Sequence, residues 1–235
     1  MTIKLANTSS NIEASTSARH RRRAGALLVI APLQFWVVEA ISASAWRDPG
    51  YNYAHNFISD LGVREEDVVF QERLVTSPLS ALMNASFVVL GLLTILGIAL
   101  LAGALGRSRR RTALVATALL FGSGAILVAA FPENTVLLAH IVGAFLNIGG
   151  GNLLAMLLGS LGVTMAMPRA WSVGSIVLGI VGTLAMTGLV LVPAIFSGTT
   201  ERFSAYPYMV ALLVTGALLV WQTQRTAPAS SVLAE

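Results

Sequence analysis

The run His55-Asn56-Phe57-Ile58-Ser59-Asp60-Leu61-Gly62 sets an imidazole, a carboxamide, a hydroxyl and a carboxylate close together in one polar segment. Two chemistries suit that set. In the first, Ser59 is a nucleophile for hydrolysis or acyl transfer, with His140 as general base and Asp60 or Glu201 orienting it. Such a triad is defined by geometry rather than chain order. In the second, Asn56, Ser59 and Asp60 hold a ligand head group or stitch the loop onto helix ends, with Gly62 allowing the turn. The hydroxyl and carboxylate then serve only as a local cap. The Gly-x-Ser-x-Gly pattern of a nucleophile elbow is absent.

Other polar residues stand where polarity is costly. Glu39 is the only acid inside an apolar span. An ionised group there costs about 2.5–3.5 kcal/mol, so an arginine partner, a proton or contact with water is expected. His140, Gly143, Asn147 and Gly150 recur at helical spacing and share a face. That face either lines a cavity or lets two helices approach closely. Ser77, Ser80 and Asn84 form a second stripe, in which Ser77 before Pro78 reads as a helix N-cap. Glu201-Arg202 is expected to end a short loop before the last span, with Arg202 shaped for a phosphate or carboxylate. The candidate ligand-binding set is therefore His55, Asn56, Glu39, Asn84, Asn147, Glu201 and Arg202. Tyr51, Tyr53, Tyr206 and Tyr208 read as interfacial belt aromatics.

The elements that position these residues follow from composition. Hydrophobic residues make up 55% of 235 positions and charged residues 11%, against about one quarter charged in a soluble domain. A helix crossing a bilayer needs about 20 apolar residues. Six stretches qualify, near 24–45, 79–105, 112–131, 136–165, 172–196 and 205–221. The expected fold is an all-α polytopic membrane protein, a six-transmembrane-helix bundle with an outer loop over 46–78. Residues 1–23 and 223–235 read as disordered tails. Eleven of the fifteen Lys and Arg residues fall at one end of these spans, leaving Arg47, Arg64, Arg73 and Arg202 at the other. The positive-inside rule then makes both termini cytoplasmic, and the expected location is the plasma membrane. Ala43-Ser44-Ala45 imitates a signal-peptide cleavage site, but the preceding apolar run is too long and carries Pro32 and Glu39.

Cysteine is absent and the histidines are His20, His55 and His140. A metal held by His55, His140 and a carboxylate is the one variant worth weighing. The expectation is no metal and no cofactor. The charge distribution argues against nucleic acid as a partner.

Pro49-Gly50-Tyr51 followed by Asn56-x-Ile58-Ser59-Asp60-Leu61-Gly62, Phe131-Pro132 with His140 downstream, and Glu201-Arg202 before the last span resemble a prokaryotic six-helix membrane family. It is known as domain of unknown function nine hundred and ninety-eight. The resemblance covers roughly residues 24–222 and implies the fold but no activity. Ile58-Ser59-Asp60-Leu61-Gly62 is also similar to a stretch in eukaryotic autophagy modulators and glycolipid-anchor remodelling proteins, which implies lipid handling at the outer leaflet. Three function classes follow. One is binding or processing of a lipid or isoprenoid-type ligand at an extracytoplasmic site. Another is a non-enzymatic scaffold that binds a membrane-protein partner or a second copy. The third is a proton-coupled transporter using Glu39 and His140, which the lack of interrupted helix pairs disfavours. Whether the chain is an enzyme stays open at this level.

Overall fold

Backbone groups have no water to bond in lipid, so an apolar chain of this length must satisfy them within helices. The computed structural model describes residues 2–65, 67–70, 73–191 and 197–225. The helices are α1 (Thr2–Ser44), α2 (Ser80–Gly103), α3 (Arg109–Ala130), α4 (Leu137–Ala144), α5 (Gly150–Ser160), α6 (Arg169–Leu191) and α7 (Ser197–Arg225). A π-helical turn, Phe145–Gly149, joins α4 to α5 in one span, so among the described residues six helical segments are long and apolar enough to cross a membrane. The fold is an all-α polytopic bundle.

Neighbours in sequence are neighbours in space. α1 packs on α2, α2 on α3, α3 on α4 and α5, α5 on α6, and α6 on α7. α7 then returns to α1 and closes the ring. The interior is filled by large side chains, with edge-to-face contacts between Phe35 and Phe87 at 4.9 Å and between Phe121 and Tyr208 at 5.3 Å. Glycine sets the tightest crossings: a Cβ added to Gly25 on α1 would lie 2.6 Å from the Gly216 carbonyl oxygen on α7. Small residues allow such backbone contact where no hydrophobic force draws helices together. On the outside, α6 presents Val173, Val177, Ile180, Val181 and Leu184, an apolar face suited to lipid.

Several boundaries depart from the sequence reading. α1 begins at Thr2, so the segment expected as a tail over 1–23 is helical from there. α7 begins at Ser197, which puts Glu201 and Arg202 inside the helix rather than at the end of a loop. Their low hydropathy disguised a helical turn that is stabilised by packing. At the far end α7 runs to Arg225, and the rest of the expected tail lies outside the described residues, as does 192–196. Finally, α2 starts at Ser80 with Leu79 at its cap position. Ser77 instead donates its hydroxyl to the Leu61 carbonyl at 2.5 Å.

Between α1 and α2 the chain folds back over its end of the bundle. A 3-10 turn, Ser59–Gly62, is buried along its length. It is followed by an antiparallel hairpin of β1 (Val68–Phe70) and β2 (Arg73–Val75), with Val69 paired to Leu74.

Candidate functional site

The 3-10 turn is held from several directions. Asp60 has no exposed surface. It accepts the Phe57 N–H at 2.9 Å and the Asn56 carboxamide at 3.3 Å. Arg73 reaches back from β2 and grips both carboxylate oxygens, Nη2 to Oδ1 at 2.9 Å and Nε to Oδ2 at 3.3 Å. The same guanidinium lies over the Phe57 ring. Burial alone would lower the Arg73 pKa, but its hydrogen bonds to Asp60 and the charges of Asp60 and Glu133 raise it instead. On the far side, Asn84 of α2 donates to the Gly62 carbonyl at 2.8 Å. Asn84 therefore fixes the loop.

Ser59 points to Glu133, in the short connection between α3 and α4. Its hydroxyl donates to Glu133 Oε2 at 3.0 Å. Burial pushes the Glu133 carboxyl well above the ordinary carboxylate range, and the neighbouring charge of Asp60 pushes it further, with Arg73 opposing. Among the described residues Glu133 Oε1 has no hydrogen-bond donor, the Arg73 guanidinium standing 3.8 Å away. Holding its proton more tightly lets Glu133 avoid the cost of a second carboxylate beside the Arg73 guanidinium that already pairs with Asp60.

His140 is buried on α4, and its Nδ1 stands 3.0 Å from the Phe131 carbonyl oxygen. If Nδ1 donates there, the neutral ring leaves Nε2 as an acceptor. Ser59 and His140 line the same small cavity, about 30 Å³, with Asn147, Glu201 and Tyr208. That volume suits one or two waters. The three proposed triad members thus lie in one region with separate partners: Ser59 on Glu133, Asp60 on Arg73, His140 on a backbone carbonyl. No hydrogen bond joins Ser59 to His140, so a serine–histidine pair is not made here.

The second polar centre is built around Arg202. Its Nη2 lies 2.9 Å from Glu39 Oε1, and its Nε donates to the same oxygen at 3.1 Å. Nη1 serves the carbonyls of Tyr53, Asn56 and Gly198 at 2.9, 3.0 and 3.0 Å. Nη2 also donates to the Tyr51 hydroxyl, which passes its own proton to the Phe57 carbonyl at 2.7 Å. Burial holds that phenol above its usual pKa, so it stays a donor. Tyr206 completes the set, bonding both Glu39 oxygens at 2.9 Å. All three guanidinium nitrogens are therefore engaged by protein groups, and Arg202 ties α1, the loop and α7 together. Glu201 bridges the two centres by accepting the Ile58 N–H.

The remaining predicted residues separate. His55 is exposed, and its carbonyl accepts from the Ser197 hydroxyl at 3.0 Å. It does not line the cavity with His140, and among the described residues no group of three or more His, Asp or Glu is placed to hold a metal. Asn147 sits in the π-helical turn, donates to the Phe121 carbonyl at 3.3 Å and accepts from Tyr208 at 3.1 Å. Gly143 and Gly150 press on the backbone of α3, so this face serves helix contact, with Asn147 and His140 reaching the cavity. The sequence reading missed Glu133 and Arg73, and treated Tyr51 and Tyr206 as belt aromatics. An acid directly after Phe131-Pro132, in a connection too short to leave the bundle, was the available signal for Glu133.

A match to the family described as Protein of unknown function (DUF998) spans residues 29–218. The chain belongs to the DUF998 family. This match takes in both polar centres and all but the ends of the bundle, so the loop network belongs to the DUF998 region itself. Neither the curated proteins nor the solved structures yielded a match.

Proposed function

We propose that this DUF998 protein binds a lipid or isoprenoid-type amphiphile at the loop end of its bundle, on the extracytoplasmic side of the plasma membrane. The observation that carries this reading is a groove of about 560 Å³ where Leu178 of α6 meets α7 beside the Arg202 centre. Its walls are Leu178, Phe203, Pro207 and Val210, and its rim is Tyr53, Thr199 and Tyr206. That is the size of a small-molecule site, about 300–1,000 Å³, with apolar walls and a few polar groups at one end. An apolar chain fits the walls, and a polar head meets the rim. The arginine bias toward the other end supports the sidedness.

Binding is favoured over hydrolysis because Ser59, Asp60 and His140 each have a partner outside the triad. Arg202 acts by shaping the rim rather than by gripping the head group, since its donors are already used. A scaffold role has one observation behind it: α6 is 17% buried in its spanning window, against 56% for α7. That face could seat a partner helix or a second copy.

Native mass spectrometry with lipidomics on gently solubilised protein tests the reading. Wild type should retain a defined amphiphile that Val210→Trp, which fills the groove, releases. Identical unselective lipids on both proteins would remove the proposal. Intact lipid accumulating on Ser59→Ala, with processed product on wild type, would restore catalysis. A stable dimer that dissolves on substituting Val177 and Val181 by Asn would favour the scaffold.

A further inference from the structure

The opposite end of the bundle holds charges of another kind. The connection between α2 and α3 reads Arg107-Ser108-Arg109-Arg110-Arg111, and the last three arginines form the start of α3. This is the wrong end of a helix for cations. Unsatisfied N–H groups and the helix dipole give it about half a positive charge, which acids normally offset. No acid stands in that first turn. Among the described residues, no salt bridge or side-chain hydrogen bond engages any of these four guanidiniums. Ser108 accepts the Arg111 N–H at 3.2 Å, and its carbonyl takes the Thr112 N–H at 3.1 Å. Among the described residues, the N–H groups of Arg109 and Arg110 have no hydrogen-bond partner at the helix start.

What lies beside the arginines narrows the choice of anion. A groove of about 640 Å³ runs from this cluster along α3, past Thr112 to Val115, Ala116 and Leu119. Leu119 is 49% exposed. The four-residue spacing from Arg111 through Val115 to Leu119 keeps cation and apolar wall on one helix face. A free anion has use for the first part alone, and a hydrocarbon for the second alone. An anionic phospholipid uses both.

We infer that the α2–α3 turn is a binding site for an anionic phospholipid of the surrounding leaflet. The phosphate sits among Arg107, Arg109 and Arg111 at the exposed N–H groups of α3, and an acyl chain lies along Val115, Ala116 and Leu119. Guanidinium forks and a helix N-terminus are each suited to phosphate. A zwitterionic choline lipid brings its own cation into the arginine cluster and is disfavoured. This site is separate from the groove at the loop end and does not depend on that reading.

The test uses the full-length protein in detergent, titrated with phosphatidylglycerol, phosphatidylcholine or inorganic phosphate and followed by native mass spectrometry and thermal melting. Phosphatidylglycerol should bind roughly tenfold or more tightly than phosphatidylcholine. The triple variant Arg109→Gln, Arg110→Gln, Arg111→Gln should lose that preference by about the same factor. Ala116→Trp blocks the chain channel and should weaken phosphatidylglycerol binding while leaving inorganic phosphate unchanged. Equal binding of the two lipids by wild type, or an unchanged preference in the triple variant, overturns the proposal. Phosphate binding as tightly as phosphatidylglycerol, unaffected by Ala116→Trp, would show an anion site without a lipid.

Discussion

The two ends of this bundle use arginine in opposite ways. At the loop end, Arg202 and Arg73 are engaged by protein groups: carboxylates, carbonyls and a phenol for the first, Asp60 and a phenyl ring for the second. They are surrounded by three buried acids, Glu39, Asp60 and Glu133, and by the half-buried Glu201. At the terminal end, Arg107, Arg109, Arg110 and Arg111 have no acid among their described partners. The same residue type is therefore a structural tie where the protein supplies the anion, and a docking group where it does not. Net charge by itself would have hidden this difference.

The largest test of that contrast is Arg202→Met. Removing one member of a buried pair costs about 3–5 kcal/mol, because the orphaned carboxylate of Glu39 stays buried. The melting temperature in detergent should fall by roughly 10 °C or more. Arg202→Lys should recover only part of the loss, since a point charge cannot serve so many acceptors at once. A wild-type melting curve for Arg202→Met would erase the distinction between the two ends.

Arg73→Gln should cost less, about 1–3 kcal/mol, because its side chain is 19% exposed and water replaces part of what it gives Asp60. Limited proteolysis of the loop over 46–78 reads this separately from global melting, and faster cleavage is expected. Unchanged protection would mean that the hairpin, rather than the ion pair, holds the loop.

Glu133 gives a pH test with a definite sign. Its proton is held more tightly in the folded chain than in the unfolded one, where the carboxyl titrates near 4.5. The stability it contributes is fully present below that pH and is lost as pH rises through the higher folded value. Melting temperature should therefore decline across that window, with Asp60, Arg73 and Glu201 as the facing charges. Glu133→Gln cannot ionise and should flatten the decline; an equally steep curve in the variant would assign the effect elsewhere. The smallest stability effect belongs to Arg110→Gln, within about 0.5 kcal/mol, as expected for an exposed position. A loss comparable to Arg73→Gln would mean that the terminal end is also tied internally.

Span count and helical class were legible because length and hydropathy decide them locally. So was the need of Glu39 for a partner, from its position alone. The identity of that partner was not, since Arg202 lies 163 positions away and was assigned to a loop. Helix ends misled wherever polar residues are stabilised by tertiary contacts, as at Glu201. The candidate site was legible as a region: Ser59, Asp60 and His140 do gather at one end. Their pairing was not legible, because Glu133 and Arg73 take hydrogen bonds that the triad reading had given to His140. Spacing reports which face a residue occupies, and says little about which of several neighbours will claim it.

The closed ring of helices has a consequence for how the chain assembles. Helices that neighbour one another in sequence also pack together, so most of the bundle can form as each segment emerges, with low contact order. The closing contact of α1 with α7 is the exception, and Glu39 lies in it. Its side-chain partners, Arg202 and Tyr206, both come from α7, so the first helix must wait for the last. Until synthesis reaches that point, an unmatched carboxylate stands in the membrane, marking the chain as unfinished.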